Sequence, residues 1–359
     1  AEIIQYWGYP SEEYQIRTDD AYYLQLNRIP HGKYCPQNEG IVLLVHGFPL
    51  EGRSWIANIP SNSLGFFLAD AGYDVWIINN RGTTWSRRHQ EFSIDQQEFW
   101  EFSFHEMAIY DIPAAINFIL QKTGQDSLYY IGYSQGASLG FITFGILPYL
   151  SDRVKLYIAL NPPYTLEDTA GLLDILSKIP RELRELIWGT KELCFVSKRL
   201  KTMLAYACSY PVIDKLCVLF ASFSGVINVK NLNIAINFLR TLTAKAKPSD
   251  NTAKSYPSRM DVYAATNPDY SSVKTLTHWI QTTPPFYKIE DVTVPVAVWS
   301  GEKDTIVTKK NTESLLAHIT HLVFYKDIPD WTHSDPVVGL DAPRRLYPDV
   351  LELMQKYKD

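Results

Sequence analysis

A serine between two glycines is the clearest chemical signal in this chain of 359 residues. Residues 132–136 read Gly-Tyr-Ser-Gln-Gly, with Ser134 at the centre. They follow a short aliphatic and aromatic run at 128–131 and precede an apolar helical pattern at 137–147. Between a strand and a helix, Gly-x-Ser-x-Gly predicts a sharp turn that presents the serine hydroxyl as a nucleophile. A chance Gly/Ser turn is the alternative, and the flanking strand and helix disfavour it.

A serine hydroxyl needs a base to become a nucleophile. Histidine takes the proton, and a carboxylate fixes the tautomer of the histidine. Where the serine lies at a strand-to-helix turn, the acid follows it in the chain and the histidine comes last. Four histidines follow the serine: His278, His318, His321 and His333. The last of them lies in the loop after the final predicted strand, so we predict His333 as the base; the alternative is a solvated loop histidine.

Asp304 is the predicted acid. It lies just beyond a predicted strand that ends at Trp299, within residues 300–304, Ser-Gly-Glu-Lys-Asp. The carboxyl ends of parallel strands are where such sheets present their functional groups. The alternative is that Asp304 serves as a turn or helix-capping residue before Thr305.

Two backbone N–H groups are also expected near the serine, because the tetrahedral intermediate of acyl transfer carries a negative oxygen. One donor is the residue after the nucleophile, and the other lies in the loop after the third strand. These positions predict Gln135 and Phe48 as the oxyanion hole. His46, two residues before Phe48, is expected to be a structural hydrogen-bonding residue. No phosphate-binding glycine loop and no metal-ligand spacing is present, so no cofactor and no metal is predicted.

The elements that must position these residues alternate between strands and helices, which predicts a parallel sheet built from βαβ units. We predict strands at residues 14–18, 22–28, 41–45, 73–79, 128–131, 154–160, 292–299 and 321–325. We predict helices of the core at residues 62–71, 107–122, 137–147 and 345–357.

The alternation stops after residue 160, at Asn-Pro-Pro. We therefore predict an α/β core made of residues 1–163 and 287–359, with an inserted cap at 164–286. Amphipathic helical pieces at 172–179 and 199–206 and a polar, mobile loop at 243–258 are expected within the cap. Helices of this kind are more often plain core, but a position between a core strand and the acid favours a cap over the site.

Bulk composition excludes some classes of protein. Hydrophobic residues make up 46% of the chain and charged residues 20%, enough for a large core. A net charge of -5 removes the attraction on which nucleic-acid binding depends. No apolar run approaches the ~18 residues of a membrane helix, so contact with membranes is expected from the side at most. No signal peptide is recognisable, which predicts that one is absent or already removed.

With these residues identified, the chain resembles the acid lipase family, which includes the gastric and lysosomal acid lipases. The resemblance spans nearly the whole chain and is densest at residues 4–10, 62–64, 69–76, 81–82, 84–89 and 340–343. It implies an α/β-hydrolase core with a mostly parallel central sheet and a helical cap. It also implies metal-free hydrolysis of triacylglycerols or steryl esters, a secreted or lysosomal address, and a triad on Ser134, Asp304 and His333.

The chain departs from this family at several positions. Tyr133 stands where the family usually has histidine, and Phe48 where it usually has leucine. Both changes keep the backbone donors, so we expect activity with an altered acyl preference. A cap loop that the family has after residue 281 is expected to be missing here. The family's cap disulfide falls on Cys208 and Cys217, whereas Cys35 and Cys194 have no assigned partner.

The sequence therefore predicts a serine carboxylic-ester hydrolase acting on lipid esters, and leaves action at a lipid–water interface open. A lipid carrier that keeps the fold without turnover is one alternative, motivated by Tyr133, Phe48 and the shortened cap and opposed by the complete triad. A small-ester esterase without interfacial preference is another. A cytoplasmic address stays open at this point.

Overall fold

A central sheet dominates the computed structural model, which describes residues 1–33, 39–165, 172–210, 259–280 and 287–358 together with Thr169, Ile213, Leu216, Cys217 and Asn231. The strands are β1 (Glu12–Arg17), β2 (Tyr22–Ile29), β3 (Ile41–Val45), β4 (Asp74–Asn79), β5 (Arg88–His89), β6 (Leu128–Tyr133), β7 (Val154–Leu160), β8 (Glu192–Leu193), β9 (Ser271–Ser272), β10 (Val296–Gly301) and β11 (Leu322–Ile328).

The order of strands in the sheet is β1-β2-β4-β3-β6-β7-β10-β11, and the short β5 pairs with β2. β1, β2 and β4 are antiparallel neighbours, whereas every pair from β4 to β11 is parallel. Every residue of β3, β4, β6 and β10 is buried. Parallel strands covered on both faces require continuous apolar runs of this kind. The mostly parallel α/β-hydrolase sheet expected from the sequence is therefore present.

Helices cover the two faces of the sheet, and an apolar cluster lies on each face. The α-helices are α1 (Glu2–Tyr6), α2 (Leu64–Asp70), α3 (Phe104–Glu106), α4 (Ile112–Thr123), α5 (Gln135–Ile146), α6 (Pro148–Ser151), α7 (Leu172–Ser177), α8 (Arg181–Trp188), α9 (Lys198–Cys208), α10 (Met260–Thr266), α11 (Val273–Trp279), α12 (Lys309–Leu316), α13 (Asp335–Val338), α14 (Ala342–Arg345) and α15 (Tyr347–Lys356). Short 3-10 helices lie at Gly52–Ile56, Pro60–Asn62, Glu98–Trp100 and Ile289–Asp291.

Prolines explain the main differences from the predicted elements. The helix predicted at 107–122 contains a π-helical turn, Met107–Asp111, directly before α4. Pro113 lies in the first turn of α4. In the middle of a regular α-helix its ring would collide with a carbonyl of the preceding turn, and here that turn is π-helical. The helix predicted at 345–357 corresponds to α15, which begins at Tyr347 with Pro348 in its first turn, and the separate short helix α14 precedes it. The strand predicted from residue 292 begins at Val296, after Pro295.

The segment between β7 and β10 contributes α7 to α11 and the β8–β9 pair. We call this segment the insertion. Its boundaries at residues 164 and 286 stay a prediction, and the polar stretch at 243–258 and the expected loop deletion after residue 281 lie outside the described residues. Within the described ranges, no helix combines the length and the apolar character that crossing a bilayer requires.

Candidate active site

Ser134 lies at the junction between β6, which ends at Tyr133, and α5, which begins at Gln135. Its backbone φ is 53° and its ψ is −125°. A positive φ is unfavourable for a residue with a side chain, and such conformations persist where the surrounding structure imposes them. The serine therefore occupies the strained apex that the Gly-x-Ser-x-Gly pattern predicts.

Glycines surround this turn because there is no space for a side chain. A Cβ atom on Gly136 would lie 2.2 Å from the carbonyl oxygen of Val45, and one on Gly132 would lie 2.4 Å from the carbonyl oxygen of Gly136. After the adjacent parallel strand β3, a Cβ on Gly47 would lie 2.8 Å from the Cβ of Ser134. Close packing of backbone on backbone thus fixes the position of the serine.

The structure brings the three predicted triad side chains together. Nε2 of His333 lies 2.7 Å from Oγ of Ser134, and Nδ1 of His333 lies 2.7 Å from Oδ2 of Asp304. All three residues are at most 6% exposed. Ser134 follows β6, Asp304 follows β10 and His333 follows β11, so the parallel strands deliver all three groups to one edge of the sheet.

Asp304 is held in place by its own loop. Its Oδ1 accepts hydrogen bonds from the backbone N–H groups of Ile306 at 2.8 Å and Val307 at 2.9 Å. These donors satisfy one carboxylate oxygen and leave Oδ2 directed at His333. The turn-capping role that was the alternative for Asp304 therefore coexists with its contact to the histidine.

The His333 loop is fixed by two residues that the sequence pattern did not assign to the site. The hydroxyl of Tyr133 donates to the carbonyl of His333 at 2.9 Å, and Nδ2 of Asn161 donates to the same carbonyl at 2.8 Å. Burial raises the pKa of the Tyr133 hydroxyl well above its ordinary value, so the group stays a donor. Asn161, with a φ of 46°, follows β7 directly. Its position at a strand end next to the elbow strand was the available signal.

Of the two predicted oxyanion donors, Gln135 follows Ser134 in the chain, and Phe48 follows Gly47, where a Cβ would lie 2.8 Å from the Cβ of Ser134. Gln135 is the first residue of α5, and the N–H groups of a first helical turn have no acceptor within the helix. The N–H of Phe48 donates to no backbone carbonyl in the part of the chain that the structure describes. The positive end of the α5 dipole adds to the attraction for a negative oxygen at this point. Their assignment as an oxyanion hole stays a prediction.

His46 has a different environment from His333. Its Nδ1 lies 2.9 Å from the carbonyl of Gly47, and its Nε2 accepts the backbone N–H of Asn80 at 3.2 Å. Burial lowers the pKa of His46 to about 4. Both ring nitrogens are engaged and the ring is neutral, which is the structural role expected for this residue.

The insertion contains the disulfide that the resemblance implies. Cys208 at the end of α9 is bonded to Cys217. Cys194 is a free, exposed thiol, and Cys35 lies outside the described residues. Among the residues with described positions, no three His, Cys, Asp or Glu side chains are grouped as a metal site would require.

Comparisons with known proteins show the family of this chain. Residues 40–184 match the family model described as alpha/beta hydrolase fold, and residues 1–59 match the one described as partial alpha/beta-hydrolase lipase region. The human lysosomal acid lipase/cholesteryl ester hydrolase is 41% identical, over 100% of this chain and 91% of that protein. Bovine gastric triacylglycerol lipase is 39% identical, over 100% of this chain and 91% of that protein.

Solved structures with lower identity share the fold. A thermophilic esterase from Thermogutta terrifontis superposes with a TM-score of 0.53 at 17% identity, over 97% of this chain and 100% of the esterase. An alpha/beta hydrolase fold protein from Nakamurella multipartita gives a TM-score of 0.57 at 14% identity, over 96% and 99% of the two chains. The chain therefore belongs to the acid lipase family on the α/β-hydrolase fold, and is by this relationship a carboxylic ester hydrolase.

Proposed function

We propose that this protein hydrolyses lipid esters through a covalent acyl-enzyme formed on Ser134. The observation that carries the proposal is the continuous hydrogen-bonded series from Ser134 through His333 to Asp304, with both links at 2.7 Å. A nucleophile, a base within hydrogen-bond reach and a third group that orients the base are the parts that acyl transfer requires.

In the acylation step, Oγ of Ser134 attacks the acyl carbon while Nε2 of His333 takes the hydroxyl proton. Oδ2 of Asp304 accepts a hydrogen bond from the Nδ1–H of His333 and stabilises the imidazolium. The N–H groups of Phe48 and Gln135 hold the oxygen that becomes negative. His333 then protonates the leaving alcohol, and in the second half of the cycle it activates the water that releases the fatty acid.

The proposed substrates are triacylglycerols or steryl esters. The relatives named above carry triacylglycerol lipase and cholesteryl ester hydrolase in their names. A suitable apolar surface adjoins the site, because the side chain of Phe48 packs against a buried cluster of four insertion residues: Leu193, Val273, Leu276 and Ile280. The ring of Phe195 lies 6.3 Å from that of Phe48. An apolar wall of this kind suits an acyl chain.

Exposed apolar side chains on the insertion support action at a lipid–water interface. On α8, Leu186 is 81% exposed, with Leu183 and Ile187 beside it on the same face. On α9, Met203 is 68% exposed, and Leu200 lies one turn before it on that face. Soluble proteins rarely expose several large apolar residues on one helix face without a partner.

The catalytic proposal is tested by hydrolysis of short-chain and long-chain p-nitrophenyl esters, with a serine-directed phosphonate as a label. The parent should be active and labelled, and Ser134→Ala should lose both properties, with a fall in kcat of about 10⁶-fold. Ser138→Ala, which alters a buried serine on α5, the helix that follows the nucleophile, is the matched control and should keep its activity. An unlabelled, inactive parent that still binds lipid would favour a carrier instead.

The interfacial proposal is tested by Leu186→Gln combined with Met203→Gln. Hydrolysis of an emulsified long-chain ester should fall, while turnover of a soluble short-chain ester stays unchanged. Tyr6→Gln, at a residue that is 80% exposed on α1, is the control for loss of an exposed apolar side chain elsewhere. An equal fall on both substrates would contradict an interfacial role, and no fall on either would favour a small-ester esterase.

The proposed address is secreted or lysosomal. One curated relative is named as a lysosomal enzyme, and a disulfide such as Cys208–Cys217 persists in oxidising compartments. Fractionation of cells that express the full-length protein would test this proposal. Recovery in the cytosol with both thiols reduced would overturn it.

A further inference from the structure

Trp279, at the end of α11 in the insertion, contacts the residue next to the nucleophile. Its indole Nε1–H donates a hydrogen bond of 2.8 Å to Oε1 of Gln135. The amide nitrogen of Gln135 lies 3.5 Å from the sulfur of Met107, in the π-helical turn of the core. The side chain of Gln135 is buried and is held between the insertion and the core.

Gln135 occupies a position where such an anchor matters. As the first residue of α5 it has no intrahelical hydrogen bond through its N–H, and helix ends open more easily than helix interiors. The same N–H is the proposed donor to the oxyanion. A donor of this kind acts through its fixed position, because it must already point at the negative oxygen when the charge develops.

The insertion holds the other proposed donor as well. The side chain of Phe48 packs against the insertion cluster that includes Leu276. The carbonyl of Pro49, the next residue, accepts the backbone N–H of Asp269 at 2.7 Å. The carboxylate of Asp269 in turn accepts hydrogen bonds from the backbone N–H and the hydroxyl of Thr84, at 2.8 and 2.6 Å. Residues 269–279 therefore contact both sides of the predicted oxyanion hole.

We infer that Trp279 is a positioning residue for the reaction, which fixes the Gln135 donor through the side-chain amide. This inference rests on the proposed function, because it assigns a task to a donor that the esterase mechanism uses. The insertion then has two parts with different roles: a surface that meets lipid, and the segment 269–279 that belongs to the catalytic machinery.

The ring of Trp279 has a firm support. It packs against the ring of Phe104 with centroids 4.4 Å apart, and Phe104 begins a helix whose capping box is formed by Ser103 and Glu106. The indole is thus held from the core side while its N–H reaches across to Gln135. Replacing the indole by a phenyl ring removes the donor and keeps most of the aromatic packing.

The test measures kcat and KM on a soluble short-chain p-nitrophenyl ester, which avoids any effect of interfacial binding. Trp279→Phe should lower kcat about 10-fold with KM within about 2-fold, less than the 10²–10³ of losing a whole oxyanion donor. Gln135→Met removes the acceptor and keeps the backbone N–H, so it should give the same loss. The double variant should fall no further than either single variant, because the two changes break one interaction.

Trp188→Phe is the matched control. Trp188 packs against the same insertion cluster as Trp279. Among the described residues it is the indole of Trp279 that bonds to Gln135. The kcat of Trp188→Phe should therefore stay at the parent value. If Trp279→Phe fails to fold, Gln135→Met carries the test by the same comparison of kcat with KM.

Three results would overturn the inference while leaving the proposed function intact: an unchanged kcat in Trp279→Phe, a change confined to KM, or losses that multiply in the double variant. A parent enzyme with no esterase activity and no phosphonate labelling would overturn the proposed function and this inference together.

Discussion

The core side and the insertion side of the candidate site are held in place by different kinds of contact. On the core side, the position of Ser134 follows from backbone packing, because Gly136 and Gly47 leave no space for another arrangement. On the insertion side, side chains make the contacts, as in the hydrogen bond from Trp279 to Gln135. A backbone arrangement is encoded by a short local pattern, whereas a side-chain contact between distant segments is not.

Exposure separates the same two regions. The three residues of the proposed triad are at most 6% exposed, whereas Leu186 and Met203 on the insertion are 81% and 68% exposed. Reacting groups in a dry environment interact more strongly with a developing charge than exposed groups do. The comparison therefore predicts large effects on chemistry from single changes in the core and smaller, substrate-dependent effects from changes on the insertion surface.

After loss of the nucleophile itself, the largest effect on chemistry is expected at Asp304. Asp304→Asn keeps the shape of the side chain but offers an amide to His333, which favours the wrong tautomer of the ring, and kcat on a soluble ester should fall about 10⁴-fold. KM should change little. Asp330→Asn, at an exposed turn between β11 and His333, is the control. An Asp304→Asn enzyme within about 10-fold of the parent would assign the orienting role to another group.

The core side of the site was predictable from sequence because its signals are local. The Gly-x-Ser-x-Gly pattern, the strand that ends near residue 299 and the loop after the last strand each indicated one of the three side chains that the structure brings together. The boundaries of β3 and β7 also agreed with the apolar runs at 41–45 and 154–160. The short helix α14, which precedes the C-terminal helix, was not predicted.

The contacts of Trp279 and Asp269 could not be predicted in the same way. Trp279 and Gln135 are separated by 144 positions, and no periodicity in either segment indicates that they meet. Asp269 sits in a polar segment that gives no sign of its buried contact with Thr84. Hydrogen bonds of this type depend on the tertiary fold, which the local pattern does not specify.

Each of the two regions contains a histidine whose protonation should change the stability of the protein. Burial lowers the pKa of His46 in the core to about 4, and it lowers the pKa of His278 in the insertion to about 4. Between pH 4 and 6.5 the unfolded chain binds a proton that the folded chain does not. The contribution of each neutral histidine to the free energy of unfolding is therefore complete above pH 6.5 and is lost as the pH falls towards 4.

Urea unfolding of the parent, His46→Gln and His278→Gln at pH 7 and pH 4 tests this prediction. The loss of unfolding free energy on acidification should shrink by up to about 3 kcal/mol in His46→Gln, and by less in His278→Gln because that ring is partly exposed. Burial raises the pKa of Asp111 to about 6, which adds stability as the pH falls. Asp111 is common to all three proteins, so it cancels from the difference. An equal loss of unfolding free energy on acidification in all three proteins would show that neither histidine contributes to the pH dependence of stability.

The smallest effect on chemistry is expected from the insertion disulfide. Replacing Cys208 and Cys217 with serine opens a loop closed across nine positions, which should lower stability by about 2–3 kcal/mol through the unfolded chain. Because no hydrogen bond or ion pair described for α9 reaches Ser134, Asp304 or His333, kcat on a soluble ester should stay at the parent value, while hydrolysis of an emulsified ester falls. Cys194→Ser, at the free exposed cysteine, is the control in both assays. A large loss of soluble-ester activity would mean that the α9 region, like residues 269–279, helps to hold the proposed oxyanion hole. The division of the insertion into a lipid-facing surface and a catalytic segment would then be wrong.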